Sequence, residues 1–244
     1  MRYVVLFLLG LFLVMCSRNN EPERKAKMDQ LNERINKFVE TKLTYDHNLL
    51  NERQKKVVEK LYKASKIVDE IYLDQVYSRN KEIRAQLQSS DDPLDKLTLE
   101  YFNIMFGPFD RLDHNKPFYG TQEKPLGANF YPEDMTKQEL EQWIKDHPED
   151  EKAFTSEFTV IRRQDGKLMA IPYSEYYKGQ LTLMSNLLKE AAQYADNPSL
   201  KRYLLTRAEA FLTNDYFESD MAWMDLKDNL IEVVIGPYEV YEDE

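Results

Sequence analysis

The sequence predicts an α+β fold that is predominantly helical. Residues 28–88 contain neither glycine nor proline, and apolar side chains recur in their second half at the three-, four- or seven-residue steps of one helix face. Two β-type runs, residues 158–163 and 167–173, flank Gln164-Asp165-Gly166 and predict a hairpin. The chain has only 7 glycines among 244 residues, which argues against a loop-rich β protein.

The helical part divides at recognisable caps. Residues 28–88 are predicted to form two or three helices with a break near Asp46, which is placed to cap the helix that follows. Asp92 is predicted to cap a further helix, because Pro93 at the first helical position has no N–H to satisfy. This helix is expected to end at about Met105.

A long irregular segment, residues 107–135, follows these helices and carries four turn signals: Gly107-Pro108, Asn115-Lys116-Pro117, Pro125-Leu126-Gly127 and Tyr131-Pro132. It is rich in phenylalanine and tyrosine, so we expect it to be ordered by packing of its own aromatic rings. Thr136 and Glu139 have the spacing of a capping box and predict a short helix to about Lys145.

The C-terminal third is predicted to contain two helices and a strand. The helices are expected over about 174–194 and 198–212, the second with Asn197 as its N-cap. Residues 231–235 are predicted to form a strand, which Gly236-Pro237 would end.

The overall charge narrows the choice of partners. The net charge is -10 and the mean hydropathy is -0.65, as in a soluble acidic protein. Nucleic acid and anionic lipid are therefore not expected as partners, because their phosphates would repel such a surface.

The first 16 residues differ from the rest. Residues 4–15 are apolar apart from Gly10. As a helix they would reach only about 18 Å, short of the roughly 30 Å hydrocarbon core, so residues 1–16 are predicted to be a signal peptide. Cys16, the single cysteine, follows Leu13-Val14-Met15 as in a bacterial lipoprotein cleavage box, although Met15 departs from the usual small residue. The alternative is an unmodified cysteine near an ordinary secretory cleavage site.

Common catalytic motifs are absent from the sequence. It contains no His-Glu-x-x-His, no Gly-x-Ser-x-Gly, no phosphate loop and no dinucleotide fingerprint. The three histidines, His47, His114 and His147, lack metal-ligand spacing, so each is predicted to be a surface or packed side chain.

Two groups of carboxylates are candidates for chemistry. Asp110 and Asp113 flank Arg111, which favours a local ion-pair cluster over a ligand site. The second group surrounds Trp223 and consists of Glu218, Asp220 and Asp225. Paired carboxylates can perform acid–base catalysis, but capping or solvating a turn is the commoner role.

The last residues hold the most specific pair. Glu239 and Tyr241 are two apart, so on an extended strand their side chains face the same way. In a cleft, the carboxylate can bind the free ammonium group of a peptide. The phenol can donate a hydrogen bond to the oxygen that gains charge in a tetrahedral intermediate.

These residues resemble the dipeptidyl-peptidase III family in its bacterial branch. The family shares a Gly-x-x-Glu-x-Tyr-x-Asp pattern preceded by a tryptophan and a lysine. The matching positions are Trp223, Lys227, Glu232, Ile235, Gly236, Glu239, Tyr241 and Asp243. Three further blocks, residues 107–113, 127–132 and 215–225, are similar to the same branch, and the resemblance covers about residues 90–244.

The resemblance implies a two-lobed fold around a wide cleft, with one largely helical lobe and a small β portion. It also implies release of dipeptides from peptide N-termini, with Glu239 holding the α-ammonium and Tyr241 stabilising the oxyanion. The family's zinc ligands lie in a His-Glu-x-x-Gly-His helix and a later glutamate helix, neither of which occurs in this chain. We therefore expect no metal in this chain and no peptidase activity from it alone.

The expected organisation is a signal peptide at 1–16, a helical region at 17–90 and an N-terminal portion of a peptidase domain at 91–244. Expected partners are a peptide substrate, a separate zinc-bearing portion, and a membrane through a lipid on Cys16, which would place the protein in the cell envelope, lipid-anchored or periplasmic. The alternative is a complete helical lipoprotein that binds a peptide or protein without catalysis. That protein should melt cooperatively as a monomer, whereas a partial enzyme should expose an unpaired edge at 231–235.

Overall fold

A computed structural model describes residues 21–46, 48–237 and 242. Within these residues the chain is mostly helical and has two short antiparallel sheets, so the predicted α+β, predominantly helical class is confirmed. The chain divides into two compact units that are each discontinuous in sequence. Unit 1 takes its residues from Met1–Leu43 and Arg79–Glu123, and unit 2 from Thr44–Ser78 and Lys124–Glu244. The predicted boundaries near residues 16 and 90 stay predictions.

The elements are numbered in chain order. The first described helix, α1, covers residues 21–35. The longer helices after it are α2 Glu52–Val76, α3 Asn80–Gln88, α4 Pro93–Met105, α5 Lys137–Asp146, α8 Lys178–Tyr194, α9 Pro198–Thr213 and α10 Phe217–Met224. The short helices are α6 Glu151–Phe154 and α7 Tyr173–Tyr176, with a 3-10 turn at Pro148–Asp150. The strands are β1 Phe109–Asp110, β2 Lys116–Pro117, β3 Thr159–Gln164 and β4 Lys167–Pro172.

Unit 1 is built on α1, α3, α4 and the β1–β2 pair, with Leu31, Tyr101 and Met105 as its buried apolar cluster. Asp110 is only 2% exposed, and Arg34 Nη1 lies 3.1 Å from its Oδ2. Burial raises the pKa of the Tyr101 phenol, and the nearby Asp110 raises it further. The buried Asp110 carboxylate is thus paired with Arg34 of α1 and accepts the Leu112 N–H at 2.9 Å.

Several predicted caps are confirmed. Asp92 accepts the N–H of Leu94 at 2.7 Å and starts α4 with Pro93 at its first position. Thr136 accepts the N–H of Glu139 at 3.2 Å and starts α5. Each cap satisfies N–H groups that have no partner within the first helical turn.

The predicted cap of α2 is wrong. Asn51, not Asp46, is the N-cap, because its side chain accepts the Gln54 N–H at 2.9 Å while Gln54 Oε1 accepts the Asn51 N–H. Asp46 instead accepts the N–H of Asn48 at 2.8 Å in a local turn. Both residue types suit either role, and the reciprocal pair at Asn51 decides between them.

Unit 2 is organised around α2, α8 and α9, which pack in that order, with α10 against α9. Their contact faces form one apolar core. Its largest fully buried apolar side chains include Ile71, Tyr173, Tyr177, Leu181, Met184, Tyr203 and Phe211. At the rim, Lys60 Nζ lies 2.6 Å from Glu190 Oε2, joining α2 to α8.

The predicted hairpin is confirmed. β3 and β4 pair from Thr159 opposite Pro172 to Gln164 opposite Lys167. Asp165 and Gly166 both have positive φ, 50° and 76°, which is the two-residue turn that matches strand twist.

One prediction for the end of the chain does not hold, and one helix there was not predicted. Residues 231–236 are not assigned as a strand, because a strand needs a ladder partner and the described residues supply none. Burial still alternates there as on an extended backbone: Ile231 and Ile235 are buried, whereas Glu232 and Val234 are exposed. Helix α10 was not predicted, since its apolar residues surround much of the helix and give no clear single face.

Candidate functional site

The segment that carries the predicted pair can be followed on both sides. Glu239 and Tyr241 lie outside the described residues, as do Asp243 and Cys16. The structure describes residues 226–237, which precede the pair, and Glu242, which follows it directly.

The C-terminal half of α2 holds both sides of this segment. Gln75 Nε2 donates to the carbonyl oxygen of Pro237 at 3.3 Å. Tyr72 Oη donates to Glu242 Oε1 at 2.6 Å. Tyr72 and Gln75 are three apart and therefore lie on one helix face.

Lys124 completes the anchor around Glu242. Its Nζ donates to the Glu242 carbonyl oxygen and lies 3.6 Å from Glu242 Oε2. Glu242 is 5% exposed, so its charge is held by a cation and a phenol out of water. Such a carboxylate is costly to bury unless paired in this way.

The end of α2 is itself capped by a loop. The Asn129 N–H donates to Gln75 O at 2.9 Å, and Asn129 Nδ2 donates to Asp74 O at 2.8 Å. These are two of the four carbonyls that a helix leaves without partners at its C-terminus. Asn129 is therefore a cap supplied from about 55 residues away in sequence.

Arg162 on β3 binds the other side of Asn129. Its Nη2 donates to Asn129 O at 2.9 Å and to Tyr176 Oη at 2.8 Å, and its guanidinium lies 4.7 Å from the Tyr176 ring centroid. The hairpin, α7 and the end of α2 are joined through these two side chains. Charged donors to carbonyls make stronger hydrogen bonds than neutral ones.

Tyr177 extends this group, which we call the Asn129 network: Asp74, Asn129, Arg162, Tyr176 and Tyr177. Tyr177 Oη donates to Asp74 Oδ2 at 3.2 Å. Burial raises the pKa of the Tyr177 phenol, and the negative charge of Asp74 raises it further. The phenol therefore stays protonated and acts as a donor.

Gly127 explains why this loop needs a glycine. A Cβ at this position would lie 2.7 Å from Tyr131 Cδ2, closer than real contacts allow, and 3.1 Å from Tyr131 Cβ, which is tighter than most. Within the block at residues 127–132, Gly127 is therefore explained by a tight turn and Asn129 by the cap of α2.

A groove runs along α2 beside the end segment. It has a volume of about 460 Å³. Its walls are one face of α2 and residues 231–236, and the lining α2 residues are Val58, Leu61, Tyr62, Ser65, Val68 and Asp69.

The turn before this segment is fixed by the cap of α9. Asn197 accepts the N–H groups of Ser199 and Leu200, and its Nδ2 donates to Lys227 O at 2.7 Å and Asp228 O at 3.1 Å. One amide therefore caps a helix and holds a turn. Asp228 has φ 52°, in the left-handed region.

Both carboxylate groups have basic structural partners, so the second group forms ion pairs and not the helix caps or solvated turns that were predicted. Asp110 pairs with Arg34, and Asp113 pairs with Lys116 at 2.9 Å. Arg111 Nε donates to Met105 O at 2.8 Å.

In the second group, two arginines of α9 hold the carboxylates. Arg202 lies 3.2 Å from Asp225 and 3.7 Å from Glu218. Arg207 is 2% exposed, lies between the rings of Tyr203 and Tyr216, and contacts Asp220 at 2.5 Å.

Two histidines can be located. His147 ends α5 and packs on Trp143 at 4.3 Å between ring centroids, and His114 is exposed in a turn. His47 lies outside the described residues. In the part of the chain that the structure describes, no group of three histidine, cysteine or acidic residues could hold a metal ion.

Comparison with solved structures identifies the fold. Dipeptidyl-peptidase III from Caldithrix abyssi is 70% identical over 87% of this chain, with a TM-score of 0.86. Dipeptidyl-peptidase III from Corallococcus sp. strain EGB is 41% identical over 91% of this chain, with a TM-score of 0.81. The chain matches an N-terminal portion of dipeptidyl-peptidase III structures. The dipeptidyl-peptidase III family is zinc-dependent.

The chain spans 40% of each of these two proteins. It is also 35% identical to Nudix hydrolase 3 of Arabidopsis thaliana, over 94% of this chain and 36% of the plant protein. Residues 129–193 match a family of unknown function, DUF6887. The comparisons support a peptidase-related part of a larger fold.

Sequence reasoning located the end segment but missed the residues that hold it. Tyr72, Gln75 and Lys124 are ordinary residues of a helix and a loop, and only long-range contacts reveal their role. The glycine at 127 and asparagine at 129 were the available local signals, since both residue types favour special backbone and capping positions.

Proposed function

We propose that this chain supplies the peptide-binding wall of a zinc-dependent dipeptidyl peptidase, with Glu239 and Tyr241 as its functional pair. In this proposal Glu239 binds the α-ammonium of a peptide and Tyr241 donates a hydrogen bond to the developing oxyanion. The substrate class is peptides with a free N-terminus.

The observation that carries the proposal is the anchoring on both sides of the pair. Gln75 holds Pro237, and Tyr72 with Lys124 holds Glu242. The described residues on either side of the pair are therefore both held by side chains of α2 and by Lys124. Positioned groups on a rigid wall lose little freedom when substrate binds.

The division of labour follows from lengths and charges. Two residues of extended peptide span at most about 7 Å, so an ammonium fixed at Glu239 sets which carbonyl reaches Tyr241. A single hydrogen-bond donor to an oxyanion contributes about 3–4 kcal/mol, or 10²–10³ in rate. That contribution does not replace activation of the attacking water, so we propose that the chain has no activity alone.

Zinc activates water and polarises the carbonyl in metallopeptidases of this kind. The described residues offer no metal-binding group, so they do not fit the ion. No step of the proposal runs through a metal held by them. The zinc-bearing portion is a proposed partner of this chain.

The experiment compares two proteins. One is the 244-residue chain, and the other is a chimera in which this chain replaces the matched part of Caldithrix abyssi dipeptidyl-peptidase III. With zinc and a fluorogenic dipeptide substrate, we expect turnover by the chimera and none by the chain. Turnover by the chain alone would show that the proposed division of the site is wrong.

Substitutions in the chimera then separate the two roles. Glu239→Gln should raise KM, because an amide binds ammonium less well, and Tyr241→Phe should lower kcat about 10²–10³-fold. Glu157→Gln and Tyr45→Phe are matched controls at exposed positions and should leave both constants unchanged. Unchanged kinetics for Tyr241→Phe would remove that residue from the mechanism.

We further propose that Cys16 carries a lipid that holds the protein at the cell envelope. The support is the apolar run before Cys16 and the polar residues after it. Among the described helices, none is both long and apolar enough to cross a membrane. Mass spectrometry of the mature N-terminus tests the idea: a lipid mass on Cys16 is expected, and a free N-terminus elsewhere would contradict it.

A further inference from the structure

The connection between α1 and α2 is the most continuously exposed stretch that the structure describes. Residues 36–46 are all exposed, and no other run of exposed residues in 21–46 and 48–237 is as long. We propose that this connection is a processing site, where an endoprotease that cuts after lysine hydrolyses the bond between Lys42 and Leu43, and that α1 stays bound to unit 1 after the cut. The inference rests on the proposed function in one respect, that a lipid upstream of α1 holds the protein at the cell envelope.

The first observation is the exposure of this bond. Residues 39–46 have no regular structure, and the bond between Lys42 and Leu43 lies at their centre. Val39 is 84% exposed and Leu43 is 88% exposed. The Thr41 hydroxyl donates to Val39 O at 3.3 Å, which is a contact within the segment itself. Segments of this kind are preferred sites of proteolytic cleavage, because an endoprotease can bind them without first unfolding a helix or a strand.

The second observation distinguishes Lys42 from other exposed lysines in turns. Lys37 lies in the turn that ends α1, where its N–H donates to Arg34 O at 3.2 Å. Lys227 also lies in a turn, but Asn197 Nδ2 donates to its carbonyl oxygen at 2.7 Å. Lys42 instead has residues without regular structure on both sides. The first cut is therefore expected after Lys42.

The reaction is the hydrolysis of one peptide bond. The oxygen of a water molecule joins the Lys42 carbonyl carbon, the C–N bond breaks, and a proton goes to the Leu43 nitrogen. The products are a fragment that ends at Lys42 and carries α1, and the fragment 43–244.

The third observation is how α1 is attached to unit 1. Leu31 is 6% exposed and lies in an apolar cluster with Tyr101 and Met105 of α4. Arg34 Nη1 lies 3.1 Å from Oδ2 of the buried Asp110. Removing Arg34 would leave this carboxylate buried and unpaired, which is strongly unfavourable. The cut removes none of these contacts.

A second ion pair holds the start of α1. Arg24 contacts Asp92, the N-cap of α4. Helix α1 is therefore attached near its start by Arg24 and near its end by Leu31 and Arg34. Cleavage alone is thus not expected to free fragment 43–244 from a lipid upstream of α1. Release needs a second step, the dissociation of α1 from unit 1.

Limited digestion of the purified chain with trypsin tests the cut. The first new N-terminus should be Leu43, and Lys42→Gln should abolish this first cut. Lys37→Gln is the matched control, because it makes the same change at another exposed residue of 36–46 and should leave the first cut unchanged. A first cut elsewhere in the wild-type chain, or an unchanged first cut in Lys42→Gln, would overturn the processing site.

Size-exclusion chromatography of the cut chain tests whether α1 stays bound. Both fragments of the wild-type chain should elute together, and separate elution would overturn the proposal. Leu31→Ala should lose the α1 fragment after the cut, because the buried side chain is truncated. Asn32→Ala, at the exposed neighbouring position, should keep the fragment. Circular dichroism of the uncut variants checks that each folds, and the wild-type result decides if Leu31→Ala does not.

Membranes from bacterial cells that express the full chain separate this inference from the lipid on Cys16. After trypsin and a wash, fragment 43–244 should remain on the membranes and should leave when urea separates α1 from unit 1. Loss of this fragment on washing alone would contradict the inference and leave the lipid unaffected. A chain that washes off before any cut would contradict the lipid, whereas co-elution of the two purified fragments would still support the inference.

Discussion

The Asn129 network and the end segment at 231–236 lie in the same unit but are completed in different ways. In the network, Asn129 caps α2, Arg162 binds Asn129, and Tyr177 binds Asp74, so polar groups from four elements satisfy one another. Along the end segment, Ile231 and Ile235 are buried, but residues 231–236 form no ladder with any other described residue.

The difference shows which part of the fold this chain stabilises by itself. Buried polar groups that are all paired specify one arrangement and are costly to disturb. The exposed backbone of residues 231–236 is solvated, so substitutions there should change the free energy of unfolding little until a partner binds. Substitutions in the network should therefore reduce stability, and those in the end segment should affect assembly.

The largest expected effect is at the centre of the network. Asn129→Leu removes the side-chain donor to the Asp74 carbonyl and the Oδ1 acceptor of Arg162, whereas the backbone bonds of residue 129 to Gln75 and Arg162 remain. We expect a loss of about 3 kcal/mol in the free energy of unfolding, because two polar groups each lose a partner. Urea denaturation measures the change. Asn48→Leu, at an exposed position, should change stability by less than about 0.5 kcal/mol.

A somewhat smaller effect is expected from Gly127→Ala. The new methyl group would meet the Tyr131 ring at 2.7 Å, and relieving the overlap should cost about 1–3 kcal/mol. Gly179→Ala is the matched control, because nothing lies within 4 Å of a Cβ there and alanine is the better helix former in α8. Thermal unfolding should show opposite signs for the two variants. Equal shifts would refute the role given to Tyr131.

Substitution of Asn197, which holds the turn before the end segment, should reduce stability by an intermediate amount. Asn197→Ala removes both the cap of α9 and the donor to Lys227 and Asp228, with an expected cost of about 1–2 kcal/mol. Asn197→Asp keeps the acceptor for α9 but loses the donor, so chemical denaturation should place it between alanine and wild type. If Asn197→Asp and Asn197→Ala lower the free energy of unfolding equally, the contribution assigned to the α9 cap is wrong.

The smallest effect concerns pH at the exposed Asp196. The Arg53 hydrogen bond at 2.7 Å, with help from Asn51, lowers the pKa of Asp196. A lowered pKa in the folded state means that the stabilisation is present above the unfolded pKa of about 4 and is lost as pH falls through the folded pKa. Wild type should therefore melt slightly above Asp196→Asn at pH 7 and at the same temperature near pH 2. A difference that persists at low pH would contradict the ion pair.

Local signals predicted local structure well. The caps at Asp92, Thr136 and Asn197 and the Asp165-Gly166 turn depend on residues within four positions of each other, and all are confirmed. The strand at 231–235 was predicted from its residue types, but strand assignment depends on a partner that no local pattern supplies. The Asn51 cap was missed because two candidate caps lay close together.

The candidate site was predictable only in part. The Glu239 and Tyr241 pattern pointed to the right family, as the solved structures confirm. Tyr72 and Lys124 could not be found from the sequence, because they meet Glu242 across separations of 170 and 118 residues. Long-range polar contacts of this kind depend on the packing of α2 and leave no spacing signature.

Amide hydrogen exchange on the isolated chain tests the contrast between the two regions most directly. The amides of Asn129, bonded to Gln75 O, and Ile161, bonded to Phe130 O, should exchange slowly. The amides of Glu232 and Val234, in the same unit, should exchange close to the rate of an unfolded chain. If all four were equally protected in the monomer, the end segment would be a closed part of the core, and the account of it as an open wall would be wrong.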